Sequence, residues 1–496
     1  MTTSVDPGPV AGYAWPQSVQ PGESFGLHLS SHAGPVDVEI ARIGATREVA
    51  WARRGLTVGA HSYPESFTSD GCDWPSAADV EVGDWASGYY EIALSDATGT
   101  AVSTAFVVVR AAPERSRGML LALTTNTWNA YNDVHNALSL YTGATAVSFA
   151  RPMAPGYLRK PPGFGRRVTA VHTPDPLRVA HRGYKAVHHL SDWCGSAGWP
   201  NWEHPFVNWA ETHGYQFDYA TNADLEDPDL LSRYRLLLSV GHDEYWSKKM
   251  RDSVEAFIAG GGNVAFLSGN TAFWQVRIEH DGKQMMGYKD QFADDPLFGT
   301  DRQHEVTTIW SDPIVGRPEN TMTGVSFTRG GYHRIGVNAG HGAGGYTVHR
   351  PDHWLFAGTG IEYGDVLGAE STVVGYECDG CDMEYKDGRP RPSGADGTPE
   401  NFVILGTAPA APFDRRTAVR PVPDGKLSEL EHIASRVLGS SDAEACERLA
   451  YGHAVLGIYT RGGTAVTSGC TDWVHGLDGA SPRVEQVTRN ILDRLG

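Results

Sequence analysis

The run Tyr234-Arg235-Leu236-Leu237-Leu238-Ser239-Val240, then Gly241-His242-Asp243-Glu244-Tyr245-Trp246-Ser247, and after residues 248–259 the run Gly260-Gly261-Gly262-Asn263-Val264-Ala265-Phe266-Leu267, decides the fold. A short apolar run reads as a buried strand, the stretch from Lys248 to Ala259 as a helix, the glycines as its stop, and the last run as a second strand. Strand, helix and strand of this length make a crossover between parallel neighbours. Sites in such sheets lie beyond the carboxyl ends of the strands. The segments Thr124 to Asn132, Gly241 to Ser247 and Ser268 to Trp274 all follow strands at that end, so they are expected to be loops sharing one rim.

Outward from this unit the pattern changes. Between about residues 15 and 112, apolar and polar positions alternate, as in Ser24-Phe25-Gly26-Leu27-His28-Leu29 and Val36-Asp37-Val38-Glu39-Ile40, separated by Pro and Gly. Period two implies strands with one buried face. The expectation is an immunoglobulin-like β-sandwich over 1–112 and an α/β domain with a mainly parallel sheet over 113–496. A β-rich, loop-rich insertion is expected at about 300–407, with helices from about Leu427 to Leu438 and Val484 to Leu495. No internal repeat is evident.

Composition narrows the function. Lys and Arg number 41 against 59 Asp and Glu, a net charge of -18, which argues against nucleic acid and anionic membrane as partners. The N-terminal MTTSVDPGPV has no basic region leading into an apolar run, and no transmembrane-length apolar stretch occurs, so a soluble, cytoplasmic protein is expected. Six cysteines follow no disulfide ladder, and Cys378 and Cys381 form a lone CxxC without a second pair at zinc-ribbon spacing.

The chemistry concentrates in 241–247, where two carboxylates, an imidazole and a phenol stand between a buried strand and a helix. Helix capping explains an acid such as Asp243 or Glu244 at that place, but it explains neither His242 nor Tyr245. His242, Asp243 and Glu244 are therefore the candidate catalytic groups, with the choice of general base among them open. In enzymes related to class I glutamine amidotransferases such an elbow presents a nucleophilic cysteine; none stands here. Aromatics and amides on the neighbouring segments, namely Trp128, Tyr131, Asn132, Asn270 and Trp274, suit a pocket for a small, weakly polar ligand.

Taken together, Trp128-Asn129-Ala130-Tyr131-Asn132, Gly241 to Ser247, Met286-Gly287-Tyr288-Lys289, Val374-Gly375-Tyr376-Glu377 and Asp472-Trp473 resemble the N,N-dimethylformamidase large-subunit-like family. The resemblance spans about residues 15 to 480 and implies an amidotransferase-like catalytic domain. It also implies a mononuclear iron, Fe(III), held by two tyrosines and a glutamate and hydrolysing N-substituted formamides. Carried over to this sequence, the ligands would be Tyr245, Tyr288 and Glu377, with Glu305, Glu362 and Glu370 as rival carboxylates in the inserted region. The resemblance further implies a separate small subunit, and a homo-oligomer is expected. Phenolate and carboxylate are hard donors suited to a highly charged first-row ion, independently of any family. Two rival readings stand beside this one: a metal-free or zinc-dependent hydrolase on the same scaffold, and a non-catalytic carbohydrate- or protein-binding protein.

Overall fold

The computed structural model describes residues 8–99, 102–161, 183–333, 342–418 and 421–496. It is a multidomain protein built on several sheets; among the described residues no sheet closes into a barrel and the largest has nine strands.

The period-two segments form two facing sheets. One orders Val10–Trp15, Ser24–Ser31 and Ser76–Glu81; the other orders Ser18–Val19, Val102–Val109, Gly88–Asp96, Val36–Ile43 and Arg47–Leu56. Phe25, Leu27 and Leu29 from the first meet Val38, Ile40, Ile92, Leu94 and Val107 from the second in a common core. Each such side chain removed from water contributes roughly 1.5–3 kcal/mol. Strand Val102–Val109 does not alternate at its end because both its faces are covered: Phe106 and Val108, with Tyr89 of the neighbouring strand Gly88–Asp96, point the other way and pack in one cluster with Trp128 and Trp199. Polar links reinforce that junction, among them Arg42 to Glu211 at 2.5 Å and the Tyr219 N–H donating to Ser87 Oγ at 2.9 Å.

In the nine-stranded sheet the neighbours Asp218–Thr221, Met119–Leu123, Leu236–His242, Asn263–Gly269 and Gly463–Thr467 run parallel. The crossover unit forms as the sequence predicts, with helix Lys248–Ala259 between the last two strands of the quoted run. Ser247 caps this helix, its Oγ accepting from the Met250 N–H at 3.3 Å, so neither Asp243 nor Glu244 is spent on capping.

Two expectations are corrected. The sheet is mixed rather than mainly parallel, because Gly452–Arg461, Val403–Ala410, Tyr346–Val348 and Val366–Leu367 extend it in antiparallel fashion. The cause is a connection too short for a crossover: Arg461 pairs with Gly463, leaving Gly462 alone in the turn at φ 80°. And the segment after Met119–Leu123 is a helix, Thr125–Tyr131, buried at every position, rather than a loop. It contains neither Gly nor Pro, so nothing in it opposes a helical turn once its surroundings cover it. Among the described residues no helix is long and apolar enough to cross a membrane, and all six cysteines are free.

Candidate functional site

The site is built around one histidine. Strand Leu236–His242 takes φ 85° at Gly241, where a Cβ would collide with Trp202, and its last residue, His242, lies inside the protein. His242 Nδ1 lies 2.7 Å from the Ser196 carbonyl, which can only accept, so this nitrogen carries a proton. Nε2 then faces two carboxylates, Glu377 Oε2 at 2.6 Å and Glu244 Oε2 at 3.3 Å. Burial alone would lower the imidazole pKa; the charge of Glu377 and the hydrogen bonds to Glu244 and Glu377 outweigh it and carry it well above the usual value. Glu244 moves the opposite way. Burial would raise it, yet His242, Lys289 and the Tyr131 hydroxyl hold it below the ordinary glutamate range.

Adjacent residues of the elbow do different things. Asp243 accepts from Asn222 Nδ2 at 3.1 Å and from Ser239 Oγ at 2.7 Å, so its carboxylate ties the turn to its own strand. The backbone carbonyls of Asp243 and Glu244 accept from the N–H groups of Ala272 and Trp274 at 2.8 and 2.9 Å. This stitches the elbow to the segment leaving Asn263–Gly269. In consequence Tyr245–Ser247 is a short strand pairing in parallel with the start of Trp274–Glu279, and Trp274 Nε1 donates to Glu244 Oε1 at 2.8 Å.

Asn270 sits in the left-handed region at φ 51°, a conformation held by Asp379, whose carboxylate accepts the N–H groups of Asn270 and Thr271 at 2.8 and 3.1 Å. Its amide thereby reaches Glu377 Oε2 at 3.2 Å. Glu377 itself arrives on the strand Glu377–Gly380, whose close approach depends on Gly269: a Cβ there would strike the Glu377 carbonyl and the Thr471 nitrogen.

Tyr131 and Thr127 are four residues apart and so share a helix face, which explains why both serve the elbow. Thr127 Oγ1 accepts from the Glu244 N–H at 2.9 Å, and the Tyr131 ring stands edge-on to both His242 and Tyr245. Trp128 and Asn132 share the next face and point elsewhere. The Trp128 indole donates to Glu203 Oε1 at 3.1 Å, and both ends of the Asn132 amide bind the backbone of Pro152 and Ala154. Of the expected pocket residues, then, Tyr131 and Asn270 meet His242 and Trp274 meets Glu244 beside it, while Trp128 and Asn132 turn away.

Of the expected ligands, Tyr245 and Glu377 belong to this buried group. Tyr288 is half-buried at the start of the 3-10 turn Lys289–Asp294, anchored by its backbone N–H to Thr307 Oγ1 at 2.8 Å. Among the described residues no hydrogen bond or ring contact joins its phenol to Tyr245 or Glu377. Its neighbour reaches the site instead. Lys289 Nζ lies 3.1 Å from the Tyr245 hydroxyl and 4.5 Å from the centre of the Trp274 ring, and burial lowers its pKa. Lys289, Tyr332 and Tyr376 were not singled out from sequence; the first and last stood beside residues that were.

A sequence model of the family described as N,N-dimethylformamidase beta subunit-like, C-terminal, matches residues 37–488. The chain belongs to this N,N-dimethylformamidase beta subunit-like family. It is 25% identical over 251 residues to the N,N-dimethylformamidase beta subunit of Alcaligenes sp, and 25% identical over 253 residues to that of Paracoccus aminophilus. Each alignment covers 45% of this chain and 29% of the relative, so the chain spans under a third of the curated subunits it matches. Membership in the dimethylformamidase-like family places the cluster at His242 inside the matched region.

Proposed function

We propose that the protein is an amidohydrolase that cleaves the C–N bond of an N-substituted formamide or a related small amide, giving a carboxylate and an amine. The observation that carries this reading is the buried cluster of Glu244, His242 and Glu377, walled by Tyr131, Tyr245, Trp274 and Tyr376. Titratable groups this far from solvent are costly to bury, and a merely structural turn has no need of them.

In the mechanism we infer, Glu377 and Glu244 compete for the proton on His242 Nε2. Once a water is bound against the cluster, the Glu377 carboxylate accepts a proton from it and the imidazolium returns one to the departing nitrogen, so the protons balance within the site. Asn270 orients Glu377, and the aromatic walls exclude bulk water and admit a small, weakly polar substrate.

An iron ion is part of the proposal. Among the described residues no group of three His, Cys, Asp or Glu side chains is placed to hold a metal, so the phenols beside the cluster are the donors proposed here. Glu244 Oε2 is buried, accepts no well-aligned hydrogen bond and has the Tyr131 and Tyr245 phenols beside its carboxylate, which is the hard oxygen set that ferric iron favours. Glu244, Tyr131 and Tyr245 would hold it, a set that shares only Tyr245 with the one the motifs suggest. Bound there, the ion would supply Lewis acidity toward the amide carbonyl. The curated relatives are named beta subunits, and we propose a separate small subunit as partner of this chain too.

The test is formate and amine release from a panel of N-substituted formamides and larger amides, beside the iron content of the same preparation. Turnover of the formamides with iron bound supports the reading. Iron-loaded protein inactive on every amide refutes the reaction, and active protein that stays active after iron removal refutes the metal.

A further inference from the structure

The hydrogen bonds do not stop at Glu377. Its second oxygen, Oε1, lies 3.5 Å from the hydroxyl of Tyr332, which donates at 2.9 Å to Glu429 Oε2. Glu429 stands in the first turn of helix Glu429–Leu438, and its other oxygen accepts the Phe413 N–H at 3.0 Å while the Phe413 ring stacks on Tyr332 at 4.3 Å. A path of side chains thus runs from His242 through Glu377 and Tyr332 to helix Glu429–Leu438, which lies outside the crossover unit that presents His242.

Fixing one carboxylate from so far away needs a reason. Glu429 is not required to cap its helix, because Ser428 already does so in a capping box with Glu431. Nor does it form an ion pair: among the described residues no Lys, Arg or His lies within bridging distance of it. Its polar partners are the Tyr332 hydroxyl and one backbone N–H. The hydroxyl of Tyr332 has a single proton and two carboxylates to choose from.

We propose that Glu429 is a positioning residue of the His242 site, which through Tyr332 decides whether Glu377 receives a third hydrogen-bond donor, the one on its Oε1. This rests on the amidohydrolase reading. When Glu429 offers a proton to the Tyr332 oxygen, the Tyr332 proton turns to Glu377 Oε1 and fixes that carboxylate with its Oε2 toward His242. When Glu429 offers none, Tyr332 turns to Glu429 and Glu377 keeps only Asn270 and His242. Burial lifts Glu429 to about 8, so near neutral pH it carries the proton that the first arrangement uses. The titratable side chains facing the path from other elements are Glu244, Tyr131, Tyr141 and Tyr376, the last of which also packs on the Tyr332 ring, as does Phe327.

The experiment compares Glu429→Gln, Glu429→Leu and Tyr332→Phe, alone and combined, in the full chain. Gln keeps an N–H to offer to the Tyr332 oxygen and Leu does not. Leu removes donor and acceptor alike and leaves the Tyr332 proton to Glu377, so at pH 6, where Glu429 carries its proton, both variants should keep the parent's kcat, and at pH 9 both should exceed it by roughly 10-fold with KM little changed. In the Tyr332→Phe background neither substitution at 429 should change kcat further, since the path is already cut. A variant-to-parent ratio in kcat that is the same at pH 6 and pH 9, or that changes with pH equally without the Tyr332 hydroxyl, would overturn the proposal. Thermal unfolding of the same variants combined with Glu377→Gln decides the matter without any turnover. The effects at 429 and 377 should depart from additivity by about 2 °C or more with Tyr332 present and add once it is Phe, as expected for residues coupled through a shared partner. Additivity in both backgrounds overturns the proposal even if no formamide proves to be a substrate.

Discussion

The elbow 241–247 and the segment 375–380 each deliver one carboxylate to His242, by opposite means. The elbow does it locally: Glu244 is two residues from the histidine, and its backbone is clamped by Thr127 and Trp274. The segment 375–380 does it across the fold, its Glu377 reaching the histidine only because Gly269 lets two backbones touch and because Asn270 is held in a left-handed conformation by Asp379. A local device survives small movements of the domain; a device assembled from distant strands depends on every contact between them. The site should therefore fail in different ways when each half is disturbed.

A large effect is expected at the distant carboxylate. Glu377→Gln removes the closest acceptor of His242, and kcat/KM should fall by roughly 10²–10⁴-fold, the usual worth of a placed acid or base. Glu305→Gln, at a carboxylate paired with Arg302 on the surface, should leave kcat/KM within about 2-fold. Equal losses at both would break the distinction between the two regions.

A backbone change comes next. Gly269→Ala places a methyl group against the Glu377 carbonyl and the Thr471 nitrogen, neither of which can swing aside. The expected cost is about 1–3 kcal/mol of stability, read by denaturant unfolding, with activity lost along with it. A variant as stable and active as the parent would show that the approach of the two segments is not tight.

A smaller, pH-dependent effect sharpens the picture of the helix that carries Tyr131. Glu203 accepts from Thr124 Oγ1 at 2.6 Å and from the Trp128 indole, and burial raises its pKa to about 8. A carboxyl whose folded pKa lies above its unfolded value stabilises most below the unfolded value, near 4, and loses that contribution as pH rises through about 8. Glu203→Gln should thus match the parent's Tm at pH 4.5 and exceed it by about 2–5 °C at pH 8. A parallel pair of Tm profiles would contradict the assignment.

How much of this was legible beforehand follows the same division. The crossover unit, helix Lys248–Ala259 and the terminal helix were readable because periodicity and glycine stops are local signals. His242 and Glu244 stood out because the elbow is continuous in sequence. The directions of Trp128 and Asn132 are not legible in a segment expected to be a loop, because a loop has no faces; as a helix it sends Tyr131 to the site and Trp128 toward the sandwich. Tyr288 stood beside the residue that matters, Lys289, since a motif locates a turn but not which of its side chains points inward. Tyr332 and Glu429 gave no signal at all. They sit 45 residues before Glu377 and 97 residues after Tyr332 respectively, and only the packed sheet brings them together.

The most direct test of the account compares two adjacent acids of the elbow, Asp243 and Glu244, in a single experiment: formate release and Tm for Asp243→Asn and Glu244→Gln. Glu244→Gln should abolish turnover, by roughly 10³-fold or more, and strip any bound iron, while Tm stays within a few degrees of the parent. Asp243→Asn leaves Ser239 or Asn222 without its acceptor, so Tm should drop by several degrees while the folded fraction keeps most of its kcat. The reverse pattern, with Asp243→Asn inactive but stable and Glu244→Gln active, would contradict the assignment of the reaction to the carboxylates that face His242.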